Sequence, residues 1–174
     1  QFYDLFDKYL IKFFLGATAL ATYSVPQQLT GKLSIISKGF SAYLLPNLSK
    51  KNHDNFSFNY SLELFLKTIP ILIFLLFPLY EFLLNFWLGE KYEVKILLLT
   101  KIFSLCAVFS GASHLLITKF EASKTLSKNL KLEFILMPFF LISLYLLTSN
   151  RFSLTETSLL ILFKEAILLS LRMH

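Results

Sequence analysis

Long apolar runs alternate with short polar links along this chain. The runs at 61–88, 94–118, 132–148 and 157–171 each approach the ~20 residues that a helix rising 1.5 Å per residue needs to cross ~30 Å of hydrocarbon. With their less uniform flanks, the pattern predicts six helices, over about 1–15, 21–49, 58–87, 94–118, 130–148 and 155–172. Gly16 closes the first, and the second is long and only moderately apolar. Pro70, Pro78 and Pro138 fall inside predicted helices and read as kinks, because neighbouring helices and hydroxyl side chains can re-satisfy the carbonyls that a membrane proline frees. Pro46 sits near the end of the second helix. The predicted fold class is all-α, a polytopic membrane protein built as a six-helix transmembrane bundle.

Charge in the links adds an orientation. Lys50 and Lys51 lie in the link at 49–55, and Lys119, Lys124, Lys128 and Lys131 in the link at 119–131. Lys91 and Lys95 are offset by Glu90 and Glu93, and Arg151 stands against Glu156. Basic residues near helix ends mark the cytoplasmic side. The links at 49–55 and 119–131 are therefore expected inside, the other three outside, and both chain ends cytoplasmic. Trp87 and Tyr92 flank one outer link, where amphipathic rings favour the water interface.

Composition supports a membrane location. The 174 residues are 55% hydrophobic and 17% aromatic, with a mean hydropathy of +0.62, above soluble averages. The formal charge of +6 is spread between apolar runs instead of forming a basic stripe, which argues against a nucleic-acid partner. Cys106 has no second cysteine, so there is no disulfide framework. No cleavable signal pattern is present, and a start at Gln1 without an initiator Met suggests a piece of a longer protein.

Ionisable groups inside a span are costly and usually face a bundle interior or a wet cavity. Asp4, Asp7, Lys8 and Lys12 share one side of the first helix at spacings of three and four. With that helix ending at Gly16, Asp7 lies about 14 Å deep, near the midplane. Two readings are open: an internal Asp4–Lys8 pair that merely lets the helix insert, or a cavity lining. On the second helix, Gln27, Thr30, Gly31, Ser34, Ser37, Lys38 and Ser41 fall within about a third of the circumference, with Lys32 near the opposite edge. That stripe suits a water-filled cavity; a seam of small residues that lets helices approach is the alternative. Glu63 and Lys67 are spaced for a local ion pair, Lys101 for snorkelling, and Lys164 and Glu165 for pairing with another helix. His114 reads as a helix-end residue. No HExxH, CxxC or carboxylate cluster supports a metal, no glycine-rich phosphate loop is present, and no cofactor is expected. The short links lack acid–base groups of the kind an embedded glycosyltransferase or acyltransferase would need, so no enzymatic activity is expected.

Several motifs share an order with a known family. Asp7-Lys8-Tyr9-Leu10-Ile11, Leu15-Gly16-Ala17 and Tyr23-Ser24-Val25 resemble the opening of the second half of bacterial polysaccharide flippases. Ala42-Tyr43-Leu44-Leu45-Pro46-Asn47-Leu48-Ser49-Lys50 resembles the end of that family's next helix. Thr68-Ile69-Pro70 and Phe86-Trp87-Leu88-Gly89-Glu90-Lys91-Tyr92 are similar to the following helix and its exit. The likeness covers 1–118 by motif and 119–174 by helix count. Ala21-Thr22 departs from the family's usual Leu-Gly, which loosens a turn without touching a charge.

The resemblance implies the multidrug/oligosaccharidyl-lipid/polysaccharide exporter superfamily, whose members pack two six-helix lobes around a central cavity. Residues 1–174 would then be the C-terminal lobe. Repeat-unit members move a polyprenyl-pyrophosphate-linked oligosaccharide across the bacterial inner membrane by alternating access. Expected partners are that lipid-linked oligosaccharide, membrane lipids and the missing N-terminal six-helix half, with a polysaccharide polymerase and glycosyltransferases as candidate neighbours. Asp7, Lys8, Lys12, Gln27, Ser34, Lys38 and Ser41 would line the cavity, its lysines matching an anionic cargo. A cation-coupled drug or lipid II exporter of the same superfamily is the alternative reading; a drug exporter would favour acids and aromatics over three lysines.

Overall fold

The computed structural model describes residues 2–49, 55–89, 92–149 and 153–173, and these are almost wholly helical. Six helices follow in order: α1 (Phe2–Gly31), α2 (Ser34–Ser49), α3 (Asn55–Leu88), α4 (Val94–Ala122), α5 (Leu126–Ser149) and α6 (Leu154–Met173). The all-α membrane class read from the apolar pattern holds. Among the described residues, three helical stretches are long and apolar enough to cross a bilayer: Phe58–Leu88, Val94–Ala122 and Asn129–Ser149. The others fall short for identifiable reasons. Sixteen residues give α2 a length of only about 24 Å, while Asp7, Lys8 and Lys12 in α1 and Lys164, Glu165 and Arg172 in α6 dilute their apolar character.

Two expected boundaries change. Gly16 does end a helical segment, with φ 90° and ψ 175°, but the next segment resumes at once, so α1 is one helix broken into two arms, 2–15 and 17–31. The helix expected over 21–49 is interrupted at Lys32 and Leu33. There the backbone tightens to i+3 bonding, Leu33 N–H to the Thr30 carbonyl at 2.9 Å and Ile36 N–H to the Leu33 carbonyl at 3.1 Å. The poor helix former Gly31 stands at this step. Proline behaves as expected in a membrane helix, since α3 runs through Pro70 and Pro78 and α5 through Pro138.

The bundle is organised around α4. Over its apolar span 56% is buried, against 17% for α3 and 11% for α5, so α4 is the central helix and the other two turn apolar faces outward. Small residues allow this. A Cβ on Gly111 would lie 2.6 Å from Phe65 Cζ and 3.4 Å from Ser37 Cβ, so α2, α3 and α4 meet where α4 has no side chain. One core joins Leu44 and Leu48 of α2, Phe58, Phe65 and Ile69 of α3, and Ala112 and Leu115 of α4. A second gathers both arms of α1, through Ile11 and Tyr23, onto Leu99, Phe103 and Cys106 of α4 and Leu154 of α6. A third packs Leu10 of α1 against Phe140 and Leu144 of α5. Several buried hydroxyls are satisfied within their own helices: Thr30 donates to the Pro26 carbonyl, Thr100 to Ile96, Thr148 to Leu144 and Ser158 to Leu154.

Candidate functional site

Asp7 is the most buried acid among the described residues, only 4% exposed. Its carboxylate is held on both oxygens. The hydroxyl of Tyr23, fully buried on the second arm of α1, donates to Oδ2 at 2.5 Å, and the Lys8 backbone N–H donates to Oδ1 at 2.6 Å. With both oxygens hydrogen-bonded, an acidic side chain can tolerate such a place. The Tyr23 ring is fixed edge-on to Phe103 of α4, with centroids 5.1 Å apart. The arms meet because the chain folds back at Gly16, which brings positions sixteen residues apart into contact.

A second polar pair lies close by. Lys164 and Glu165 form an ion pair at 2.9 Å with side chains 15% and 16% exposed, and the Lys164 ammonium sits 4.8 Å from the Phe140 ring centroid. Phe140 also packs on Leu10, one turn beyond Asp7. A cation over an aromatic face gains attraction without water, which lets this lysine sit mid-helix. Between α5 and α6 a cavity of about 220 Å³ opens beside it, lined by Leu136, Phe139, Phe140, Ser143, Phe163 and Lys164 among others.

The polar face predicted along 27–41 divides in the structure. Thr30, Ser37 and Ser41 are buried. Ser37 sits beside Gly111, and Ser41 Oγ lies 3.4 Å from His114 Nδ1. This part is a seam of small residues against α4. Ser34 is half-buried. Gln27 is half-buried too, but its Oε1, like the Ser113 hydroxyl, is enclosed without a hydrogen bond among the described residues. Lys8 is half-buried, while Lys12, Lys32 and Lys38 are exposed. The fold thus joins Asp7 to Tyr23 and brings Ser41 to His114, and it leaves Lys12 and Lys38 on the surface of this bundle. The Asp4 side chain, and the links carrying Lys50, Lys51, Lys91 and Arg151, lie outside the described residues.

Two polar arrangements had not been expected. Arg172, near the C-terminal end of α6, is 7% exposed. Its Nε donates to Asn129 Oδ1 at 2.7 Å, and its Nη2 pairs with Glu133, so α5 and α6 are clamped together at this end. No local signal in the sequence announces a contact across 39 residues. The other was legible. Ser153-x-x-Glu156 before an apolar run is a capping box: the Ser153 backbone N–H donates to Glu156 Oε2 at 2.6 Å, and the Glu156 N–H reaches Ser153 Oγ at 3.4 Å. Glu156, read as a partner for Arg151, therefore closes the N-terminus of α6. Elsewhere Glu63 and Lys67 pair at 2.6 Å, as their spacing predicts, and Lys101 lies 5.8 Å from the Phe77 ring centroid.

Among curated proteins the chain is similar to the "Putative O-antigen transporter" of Shigella flexneri, 34% identical over 95 residues that make up 52% of this chain and 22% of that protein. The chain therefore spans under a quarter of that relative's length. The sequence matches no family model and no solved structure. Helices long and apolar enough to cross a bilayer mark the chain as a membrane protein, and its likeness is to a protein named as an O-antigen transporter.

Proposed function

We propose that this chain is the C-terminal lobe of a flippase that carries a polyprenyl-pyrophosphate-linked oligosaccharide repeat unit across the bacterial inner membrane. The observation that carries the reading is the 34% identity to a protein described as an O-antigen transporter. Chemistry supports it. Lys8, Lys12 and Lys38 are cations on a bundle whose surface is otherwise largely apolar. Facing hydrocarbon, each would cost roughly 2.5–3.5 kcal/mol near the bilayer centre. Facing a second, N-terminal six-helix half across an aqueous cavity, they cost little and present charge to a pyrophosphate. Gln27 and Ser34, half-buried, supply hydrogen-bonding groups for sugar hydroxyls, while Ser41 stays packed in the seam on α4, and Asp7 sets the local charge beside Lys8. The protein acts as a carrier, making and breaking no covalent bond.

The test is restoration of surface polysaccharide by the full-length protein in a strain lacking its own flippase, with protein level checked by blot. Lys8→Ala and Lys38→Ala are expected to lose export at unchanged protein level, and Lys38→Arg to keep part of it, because the charge stays while the donor geometry changes. Lys32→Ala is expected to be tolerated. Normal export by Lys38→Ala with loss in Lys32→Ala would place the cargo on the other face and overturn the assignment.

A further inference from the structure

The turn at Gly16 differs from an ordinary link between helices. Its φ of 90° with ψ of 175° is a conformation open in practice only to glycine. Packing does not demand glycine there, since a Cβ at this position would meet nothing within 4 Å. Gly111 is the opposite case, a glycine held by close neighbours. Beside the turn lies a cavity of about 340 Å³, walled by Leu15, Thr18 and Thr22 of α1, Lys95 of α4, and Ser153 and Leu154 at the start of α6. The backbone at Gly16 thus has both the dihedral freedom and the space to move.

Both arms that leave this turn pack on α4, through Ile11 and Tyr23, and the first is tied to α5 as well. The first, 2–15, lays Phe6, Leu10 and Phe14 against α5 through Phe140, Leu144 and Tyr145. The second, 17–31, is fixed on α4 through Tyr23 and Phe103. The Tyr23–Asp7 bond crosses between them, and Ile11, Tyr23, Ala19 and Leu20 share one apolar cluster on α4. Apolar contact slides at little cost, whereas a buried bond to a carboxylate is directional and is lost within a fraction of an ångström.

We propose that Gly16 is a hinge and that the Tyr23–Asp7 bond is its lock: with the bond made, the first arm is held against the second, and with it broken, the first arm swings out together with α5. Leu5 lies eleven residues from the hinge, about 16 Å along the arm, so a swing of about 20° displaces it by roughly 6 Å. That is measurable by pulsed electron spin resonance between spin labels at Leu5→Cys and Gln28→Cys, both exposed positions near the far ends of the arms. The labels go into the full-length protein, in lipid nanodiscs, with Cys106→Ser and any further cysteines removed.

Tyr23→Phe keeps the ring packed on Phe103 and deletes only the hydroxyl. It is expected to add a population longer by about 6 Å, and Gly16→Ala, which disfavours the locked dihedral, is expected to do the same. Asp7→Asn, which keeps an acceptor for Tyr23 but loses the charge, is expected to give a smaller share of that population. If Tyr23→Phe and Asp7→Asn lower the melting temperature and leave the distances as in the parent, the bond is only structural and the hinge is refuted. Should Tyr23→Phe fail to fold, Gly16→Ala and Asp7→Asn decide the matter on the same readout.

Discussion

The clamp between α5 and α6 allows an asymmetric prediction. The Arg172 side chain is 4% exposed and that of Glu133 33%. Glu133→Ala leaves a buried guanidinium facing the neutral Asn129 carbonyl, 2.7 Å away. Stranding a buried charge in this way costs about 3–5 kcal/mol. Arg172→Met removes the cation and roughly fills its volume, and the carboxylate left behind is a third exposed and can turn to water. Its cost is then that of lost hydrogen bonds, about 1–3 kcal/mol. The two substitutions at one ion pair should therefore differ, with the glutamate the more damaging loss.

The double variant Glu133→Leu/Arg172→Met strands no charge, and well-packed apolar replacements of buried pairs are often neutral. It is expected within about 1 kcal/mol of the parent and well above Glu133→Ala. Reversible unfolding of the purified full-length protein in mixed micelles gives the three free energies, and limited proteolysis near 173 checks whether α6 has come loose. Equal costs for the two single variants, or a larger cost for Arg172→Met, would refute the argument that burial of the cation controls the outcome.

Other consequences follow from single positions. Gly111→Ala forces a methyl to within 2.6 Å of Phe65 Cζ and should cost about 1–3 kcal/mol; Phe65→Leu should restore most of it in the same unfolding assay. Lys124 sits just past the end of α4 at φ 57°, where glycine is the usual residue, so Lys124→Gly should raise stability by up to about 1 kcal/mol, read as a higher melting temperature. Single cysteines at Gly89 and Ser127 should label from opposite sides of the membrane, Ser127 from the cytoplasm; labelling from one side would break the orientation drawn from the lysines.

Much of the fold was readable because membrane helices announce themselves by length and apolarity. The runs at 61–88 and 94–118 became α3 and α4 with ends shifted by a few residues, and Gly16 marked a true break. The step at Lys32 was not readable, since four i+3 bonds against a continuing helical pattern leave no periodic trace. The burial of Asp7 could be anticipated from its distance to Gly16, but its bond to Tyr23 depends on how sharply the chain turns there, which is set by one residue's dihedrals. Lys38 shows the limit of helical phase: it lies next to buried Ser37 and one turn from buried Ser41, yet it is exposed. A step of 100° per residue separates the packed side of α2 from its edge, and only the position of α4 says where that edge falls.

Polarity in this bundle is arranged inside out relative to a soluble domain. The outward faces of α3 and α5 carry Phe74, Phe82, Phe86, Phe134 and Phe139, all well exposed, and the enclosed ion pairs and buried carboxylate lie on α1 and α6 or where α5 meets α6. α1 and α6, both less apolar than a membrane span, thus bring most of this charge inward. α4 makes this affordable, because it is apolar, built with small residues, and placed so that both α1 and α6 pack on it. A charged helix inserted alone would expose its carboxylates to hydrocarbon. Laid against α4, Asp7 meets Tyr23, and Arg172 meets Glu133 across α5 and α6. It follows that substitutions enlarging α4, such as Gly111→Ala, should weaken the polar contacts of the bundle as well as its apolar packing, because those contacts exist only while the helices around α4 stay close.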